Sequence, residues 1–514
     1  MTLTDEAATV RLAEDLAIAL RPGDVVLLHG DLGAGKSTLA RAMLRAMADD
    51  AGLEVPSPTF TLVQGYQLPR FPVAHVDLYR LGAPEEVDEL GLDEAVATGA
   101  VLIEWPERGE GSLPRGRTIE LSLTQGADGN DSREATIATA DAAAGTRLRR
   151  SLLVRDFLDE AGLAGATRRY LQGDASTRAY ERIGSGDGRR VLMNHPPEPD
   201  DETGRARLAY YRGARLAEDT RPFVAIGRAL HERGFSTPDI LAADTARGLI
   251  LLEDLGDEFC VAGDPPAPMV ERYQTAIDVL VELHAQALPS EIDDGAGGRY
   301  RLPAFDATIF RNEVMVLTDW GFGHLTGREL GGDEKAAFLA LWAPLFAEVT
   351  SGPLTWSLRD FHSPNLMWLA ERQGFRRLGI IDHQDAILSH PAYDVASLAQ
   401  DARVTVPAAL ETALVERYVA GRRAHDGGFD EAGFRRGYAI LGAQRNTRLL
   451  GLWARLLRRD GKSGYLRHYP RTSDYLDRCL AQEALAPLAD WFGRMLPGEV
   501  RRRGVEINPP RSTG

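Results

Sequence analysis

"GDLGAGKST", residues 30–38, decides how the first part of this chain folds. It follows the apolar run "DVVLLHG" (24–30) and precedes "TLARAMLRAMA" (38–48), whose apolar residues recur at helical spacing. A buried strand ending in glycine, a turn and then a helix is the setting that the pattern G-x-x-x-x-G-K-[ST] requires. Gly30, Gly33 and Gly35 let backbone N–H groups curl round phosphate oxygens, and the start of the helix adds its dipole. Lys36 would reach the terminal phosphates, Ser37 would ligate Mg²⁺, and Thr38 completes the cradle. Only three of the 59 basic residues are lysines, so a lysine at this position stands out against an arginine background. The alternative is a glycine turn beside a surface lysine.

The surroundings are α/β. Residues 5–20 carry apolar positions between charges, as an amphipathic helix does. "PVAHVD" (72–77) and "AVLIEW" (100–105) are further apolar strands, and "TIELSLTQGADGNDSREATIATA" (118–140) reads as two strands joined by a Gly/Asp/Asn turn. Asp77 and Glu104 end their strands where open α/β sheets gather ligand-binding groups. One would hold Mg²⁺ through water and the other would orient an attacking water; helix capping or surface exposure is the competing reading. In order and spacing, "GDLGAGKST", "SPTFTLVQGY" (57–66), "HVDLYRL" (75–81), "ELGLDEAV" (89–96) and "LIEWPERG" (102–109) resemble the TsaE family. TsaE proteins are the small ATPases of bacterial tRNA threonylcarbamoyladenosine biosynthesis. The resemblance spans roughly residues 5–142. It implies ATP hydrolysis in the service of a TsaB–TsaD-type complex, Thr59 on a nucleotide-sensing loop and Trp105 stacked near the nucleotide.

A second constellation lies far downstream. In "SLRDFHSPN" (357–365), Asp360 and Asn365 fit D-x-x-x-x-N, and "LGIIDHQD" (378–385) then ends an apolar strand on Asp382. In phosphotransferases of the kinase type the first Asp accepts the proton of the acceptor hydroxyl, while the Asn and the later Asp hold the metal. The pattern D-x-x-x-x-N alone is weak, and a structural Asp in a turn is the competing reading. No lysine occurs between Lys36 and Lys335, so the strand lysine of such kinases is absent. Arg178, after the Gly/Ser-rich turn in "QGDASTRAY" (172–180), is the candidate substitute for binding phosphate, and Arg190 a weaker one.

"GDASTRAYERI", "VLMNHPP" (191–197), "LLLEDLGD" (250–257), "RDFHSPNLMWL" (359–369), "IIDHQDA" (380–386), "PAYDVASLAQDAR" (391–403) and "LGLWARLLRRDGK" (450–462) resemble the aminoglycoside-phosphotransferase-like fold, over about 150–490. More narrowly they are similar to the anomeric sugar kinases (AmgK) of N-acetylmuramate and N-acetylglucosamine, which serve cell-wall recycling. That family also has methionine where the strand lysine would be. Three departures stand out: Leu358 in place of a common His, His383 where an aromatic usually follows the metal Asp, and Asn194 at an often acidic position. Trp320, Trp342, Trp356 and Trp368 would pack the core or stack on a sugar face.

The expected architecture is a P-loop α/β NTPase domain (1–143), a linker (144–150), a bilobal protein-kinase-like phosphotransferase domain (151–495) and a flexible tail (496–514). The arginines at 147, 149 and 150 and at 501–503 read as solvated linker and tail charge. At 514 residues, with 44% hydrophobic and 26% charged residues, the chain resembles ordinary globular proteins. No long apolar run suggests a membrane span or a signal peptide, and two distant cysteines suggest a reduced, cytoplasmic setting. A net charge of −16 disfavours gripping a phosphate backbone, so any tRNA role is expected to be indirect, through protein partners. The function expected is therefore double: a P-loop ATPase and an ATP-dependent amino-sugar kinase. The alternatives for the second half are a kinase of another small hydroxyl acceptor or a silent scaffold that regulates the first.

Overall fold

A computed structural model describes residues 1–126, 132–171, 178–295 and 297–504. It divides into two compact units, Met1–Pro196 with Leu241–Glu253, and Pro197–Ile240 with Asp254–Gly514. Among the described residues no helix is long and apolar enough to cross a membrane.

In the first unit the chain forms β1 (Thr2–Leu3), α1 (Glu6–Ala19), β2 (Asp24–His29), α2 (Lys36–Ala48), β3 (Val63–Tyr66) and β4 (Val73–Asp77). It continues through α3 (Leu92–Thr98), β5 (Ala100–Glu104), β6 (Arg117–Gln125) and β7 (Arg133–Ala138). The sheet order is β1-β7-β6-β2-β5-β4-β3, with β6, β2, β5 and β4 parallel and the outer pairs antiparallel. Alternation along β2 builds both faces. Val26 and Leu28 join Leu16 of α1 and Leu39 and Met43 of α2, while Val25 and Leu27 join Leu92 and Val96 of α3. In register, Leu28 and Asp77 both lie opposite Glu104, so the carboxylates meet at the end of β2 from which the glycine loop departs.

Residues 144–150 are not a linker. They lie inside α4 (Ala142–Glu160), a helix that the expected domain boundary would cut. The small residues there favoured a linker reading, yet alanine is the strongest helix former, and the Asp141 carboxylate caps the helix by accepting from Ala144 N at 2.7 Å. Ala144 and Leu148 belong to the core under α1. Val154, Phe157 and Leu158, further along α4, join Ile183, Leu192, Leu249 and Leu251 of a second sheet. That sheet contains β8 (Arg168–Leu171), β9 (Ala179–Ile183), β10 (Arg190–Asn194), β11 (Ile240–Asp244) and β12 (Leu249–Glu253), in the order β11-β12-β10-β9-β8. Two of the "linker" arginines are equally committed. Arg147 pairs with buried Asp24 at 2.8 Å, and Arg150 donates to the Asn194 side chain at 2.7 Å. Asn194, at the position expected to be acidic, thus anchors α4 to the second sheet.

A buried ionic network joins the two sheets' elements. On α1, Glu14 and Asp15 are each 3% exposed. Arg155 of α4 donates to Asp15 at 2.8 Å. Arg168 of β8, fully buried, donates to Asp15 at 2.6 Å and to Glu181 of β9 at 2.7 Å. Arg169 reaches Glu14 at 3.1 Å. Burial opposes the Arg168 charge, but Glu181 and Asp15 outweigh it and hold its pKa above the ordinary arginine value.

The second unit is mainly helical, and its longest helix is Glu431–Asp460. Short antiparallel pairs, 355–357 with 387–389 and 366–368 with 378–380, hold the loop that carries Asp360. Trp342, Trp356 and Trp368 are buried in the core, so sugar stacking is not their role; Trp320 is half-buried. The tail is ordered further than expected. Gly498–Arg503 is helical, Arg501 is buried against Asp477 and Ser473, and the Gly504 carbonyl bonds His324 at 3.1 Å. Residues 505–514 of the expected tail, and 172–177 of the expected glycine turn, lie outside the described residues.

Candidate active sites

The glycine loop has the backbone that its sequence demands. Gly30, Gly33 and Gly35 have φ of +140°, +82° and +107°. A Cβ on Gly30 would stand 2.4 Å from the Leu123 carbonyl oxygen, whereas one on Gly33 would meet nothing within 4 Å. The loop is pinned at its base and open at its crown. Lys36 begins α2, and its ammonium donates to the Gly30 and Asp31 carbonyls at 2.5 and 3.0 Å. It also lies 3.6 Å from the centroid of the Trp105 ring. Burial draws its pKa down, against the carboxylates of Glu104, Glu107 and Asp77. Thr38, the next residue but one, is half-buried in the first turn of the helix.

Ser37 Oγ donates to Glu104 at 2.7 Å, and the other Glu104 oxygen lies 2.9 Å from His75 Nε2. Asp77 accepts from Thr59 Oγ1 at 2.8 Å and from the Tyr79 N–H at 3.0 Å. Asp77 and Glu104 are buried strand ends, neither helix caps nor surface charges. Trp105 has a positive φ of 58°, a costly conformation for a bulky side chain at the mouth of the site. Amide N–H groups, an ammonium and a hydroxyl suit a triphosphate, and the hydroxyl with two carboxylates suits Mg²⁺. No motif marks His75, which lies inside "HVDLYRL", or Arg133, whose guanidinium donates to the Ala34 carbonyl at 3.2 Å.

The second site is clamped from below. The Asp394 carboxylate accepts from Leu358 N at 2.6 Å, Arg359 N at 3.0 Å and Ser357 Oγ at 2.8 Å. Asp401 accepts from Ser363 N at 2.8 Å. Between these anchors Arg359 takes a φ of +63°, and its guanidinium donates to Glu313 at 2.8 Å. Leu358 offers its N–H and an apolar side chain, so the departure from His leaves the loop supported. Asn365 Nδ2 donates to the Asp360 carbonyl at 2.9 Å and to the Asp382 carboxylate at 3.3 Å, which brings the three expected residues together. Asp382, with φ +60°, is also bonded by Gln384 Nε2 at 2.8 Å. His383 stacks on Phe223 with ring centroids 4.4 Å apart and so fills the expected aromatic position.

Among the described residues nothing donates to the Asp360 carboxylate, which leaves it available to a hydroxyl. Burial would raise its pKa, but His362, Arg448, Arg445 and Arg359 together hold it below the usual carboxylate range. Burial pushes Asp394 up to about 6, and its three donors oppose that rise. Oxygen donors from Asn365 and Asp382 suit Mg²⁺. Arg178 stands half-buried just before β9, and Arg190 half-buried at the start of β10. Asp394, Asp401, Glu313, Arg445 and Arg448 had no assigned role in the sequence. "PAYDVASLAQDAR" contains the first two, and no motif marks the others.

Residues 3–135 match the family model described as threonylcarbamoyl adenosine biosynthesis protein TsaE, and residues 167–432 match the phosphotransferase enzyme family. An N-acetylmuramate/N-acetylglucosamine kinase of Caulobacter vibrioides is 39% identical over 361 residues, covering 67% of this chain and 96% of that protein. A TsaE protein of Rickettsia bellii is 43% identical over 121 residues, 24% of this chain and 83% of that protein. Another, from Rickettsia conorii, is 46% identical over 106 residues, 21% of this chain, which spans 60% of that relative's length. The chain belongs to the TsaE family through its N-terminal P-loop domain and to the phosphotransferase enzyme family through its C-terminal, kinase-like domain.

Proposed function

We propose that this polypeptide carries two ATP-using enzymes. The N-terminal site supports tRNA threonylcarbamoyladenosine modification through a TsaB–TsaD-type complex, and the C-terminal site phosphorylates N-acetylmuramate and N-acetylglucosamine at the anomeric hydroxyl in cell-wall recycling. The observation that carries the reading is that each unit gathers its own carboxylates suited to metal and proton transfer. Lys36, Ser37, Asp77 and Glu104 gather at one sheet, while Asp360, Asn365 and Asp382 meet in the other unit. Neither needs the other's donors. An acidic chain acting in the cytoplasm through protein partners, touching tRNA only indirectly, accords with its charge of −16.

At the C-terminal site Asp360 orients the sugar hydroxyl and accepts its proton; an anomeric hydroxyl is comparatively acidic, so late acceptance suffices. Asn365 and Asp382 would hold Mg²⁺, which supplies charge neutralisation on the phosphates when bound with ATP. At the N-terminal site the loop amides, Lys36 and Thr38 would hold phosphate, Ser37 and Asp77 would hold Mg²⁺, and Glu104 would orient the attacking water. Thr59, bonded to Asp77, links that position to the segment preceding β3. Arg178 is the proposed phosphate ligand of the kinase in place of lysine.

Lys36→Ala removes the phosphate-binding ammonium. In cells lacking their own TsaE, the intact chain is expected to restore the tRNA modification and the variant to fail. Rescue by the variant would contradict the role given to the loop. The clamp on the catalytic loop uses the Asp394 anion, whose pKa is pushed up to about 6. Sugar phosphorylation at saturating ATP is therefore expected to decline as pH falls through about 6, above the range where Asp360 itself titrates. A pH–rate profile level down to pH 5 would remove that role from Asp394.

A further inference from the structure

Close enough to Asp360 to act on its charge lies a cation that no other described residue bonds. Arg445 belongs to the helix Glu431–Asp460 and is 3% exposed. Its Nε is buried without a partner, and among the described residues its guanidinium makes no hydrogen bond or ion pair. A buried, unpaired guanidinium is costly, and such groups ordinarily meet an anion. The neighbouring carboxylate is already taken. Glu313 accepts from Arg359 at 2.8 Å and from Gln444 at 2.6 Å, and it lies 3.6 Å from Arg448. Through Glu313 the helix that carries Arg445 and Arg448 is tied to the residue just before Asp360. The Arg445 charge favours the anions of Asp360 and Asp394 and opposes protonation of His362, with burial the larger influence on each.

We infer that Arg445 is a specificity-determining residue that pairs with a carboxylate on the phosphoryl acceptor. Resting on the amino-sugar reading above, this deepens it. N-acetylmuramate carries a lactyl carboxylate that N-acetylglucosamine lacks, and a planar guanidinium fork fits a carboxylate bidentately. The carboxylate supplies what the protein withholds from Arg445, so N-acetylmuramate is the acceptor for which this site is built. N-acetylglucosamine reacts at the same Asp360 while leaving Arg445 unpaired.

The test is the ratio of kcat/KM for the two sugars in the full-length wild type, Arg445→Met and Arg445→Lys. Loss of the Arg445 charge also acts on Asp360, and that effect falls on both sugars alike; the ratio cancels it. Arg445→Met is expected to lower the N-acetylmuramate: N-acetylglucosamine ratio about 30-fold, mainly through KM, in line with a lost charge-assisted bond. Arg445→Lys is expected to restore part of it. Equal losses for both sugars would overturn the inference and assign Arg445 to the transferring phosphate or to loop support. If the wild type phosphorylated neither sugar, the amino-sugar reading itself would fall, and the carboxylate partner with it.

Discussion

Asp360→Asn is expected to lower kcat for sugar phosphorylation about 10³-fold, the middle of the range for a lost general base. Asparagine is nearly isosteric, and the loop that holds it is fixed from other positions, by Asp394 beneath residues 357–359 and by Asp401 at Ser363. The variant therefore keeps its fold and its sugar KM, and loses only the ability to accept the hydroxyl proton. A decrease of less than tenfold, measured by phosphate transfer from ATP with thermal unfolding as the control, would remove Asp360 from the chemistry.

The second large effect concerns stability. Arg168→Met leaves Glu181 without its buried cation and takes one of two arginines from Asp15. Breaking a buried pair on one side costs about 3–5 kcal/mol, because a charge is left desolvated and uncompensated. Because Arg155 still serves Asp15, a loss of about 3 kcal/mol is expected in denaturant unfolding of the full chain. The loss should be felt in both domains, since Asp15 lies on α1 of the P-loop domain and Arg168 and Glu181 lie in the second sheet. Replacing Arg168 and Glu181 together with apolar residues of similar size, which leaves Asp15 to Arg155, should cost much less. A change below about 0.5 kcal/mol for Arg168→Met would mean that the network is solvated, contrary to its burial.

These two results draw on different kinds of legibility. The glycine loop and the Asp360–Asn365 segment were readable because each places its chemistry within nine consecutive residues, where spacing alone dictates geometry. Asp77, Glu104 and Asp382 were readable because each ends an apolar strand. The ionic network was not, since its bonded members are separated by as many as 155 residues and meet only once α1, α4 and β8 have packed. Arg445 was hidden for a related reason. Helix register places it near Asp360, and among the described residues no bond marks it. The linker expectation failed because "TADAAAGTR" has the small residues of a linker and also the alanines of a helix, and the Asp141 cap with the buried Leu148 decides for the helix. The arginines at 147, 150 and 501 read as surface charge because their partners, Asp24, Asn194 and Asp477, are distant or unremarkable in sequence.

The central claim is that two independent active sites share one chain. It is tested most directly by ATP-dependent phosphorylation of N-acetylmuramate and N-acetylglucosamine by wild type, Lys36→Ala and Asp360→Asn. Full activity in the wild type and in Lys36→Ala, with loss in Asp360→Asn, is the predicted result. Loss of sugar phosphorylation in Lys36→Ala would contradict the claim, because the kinase would then depend on the P-loop for its nucleotide.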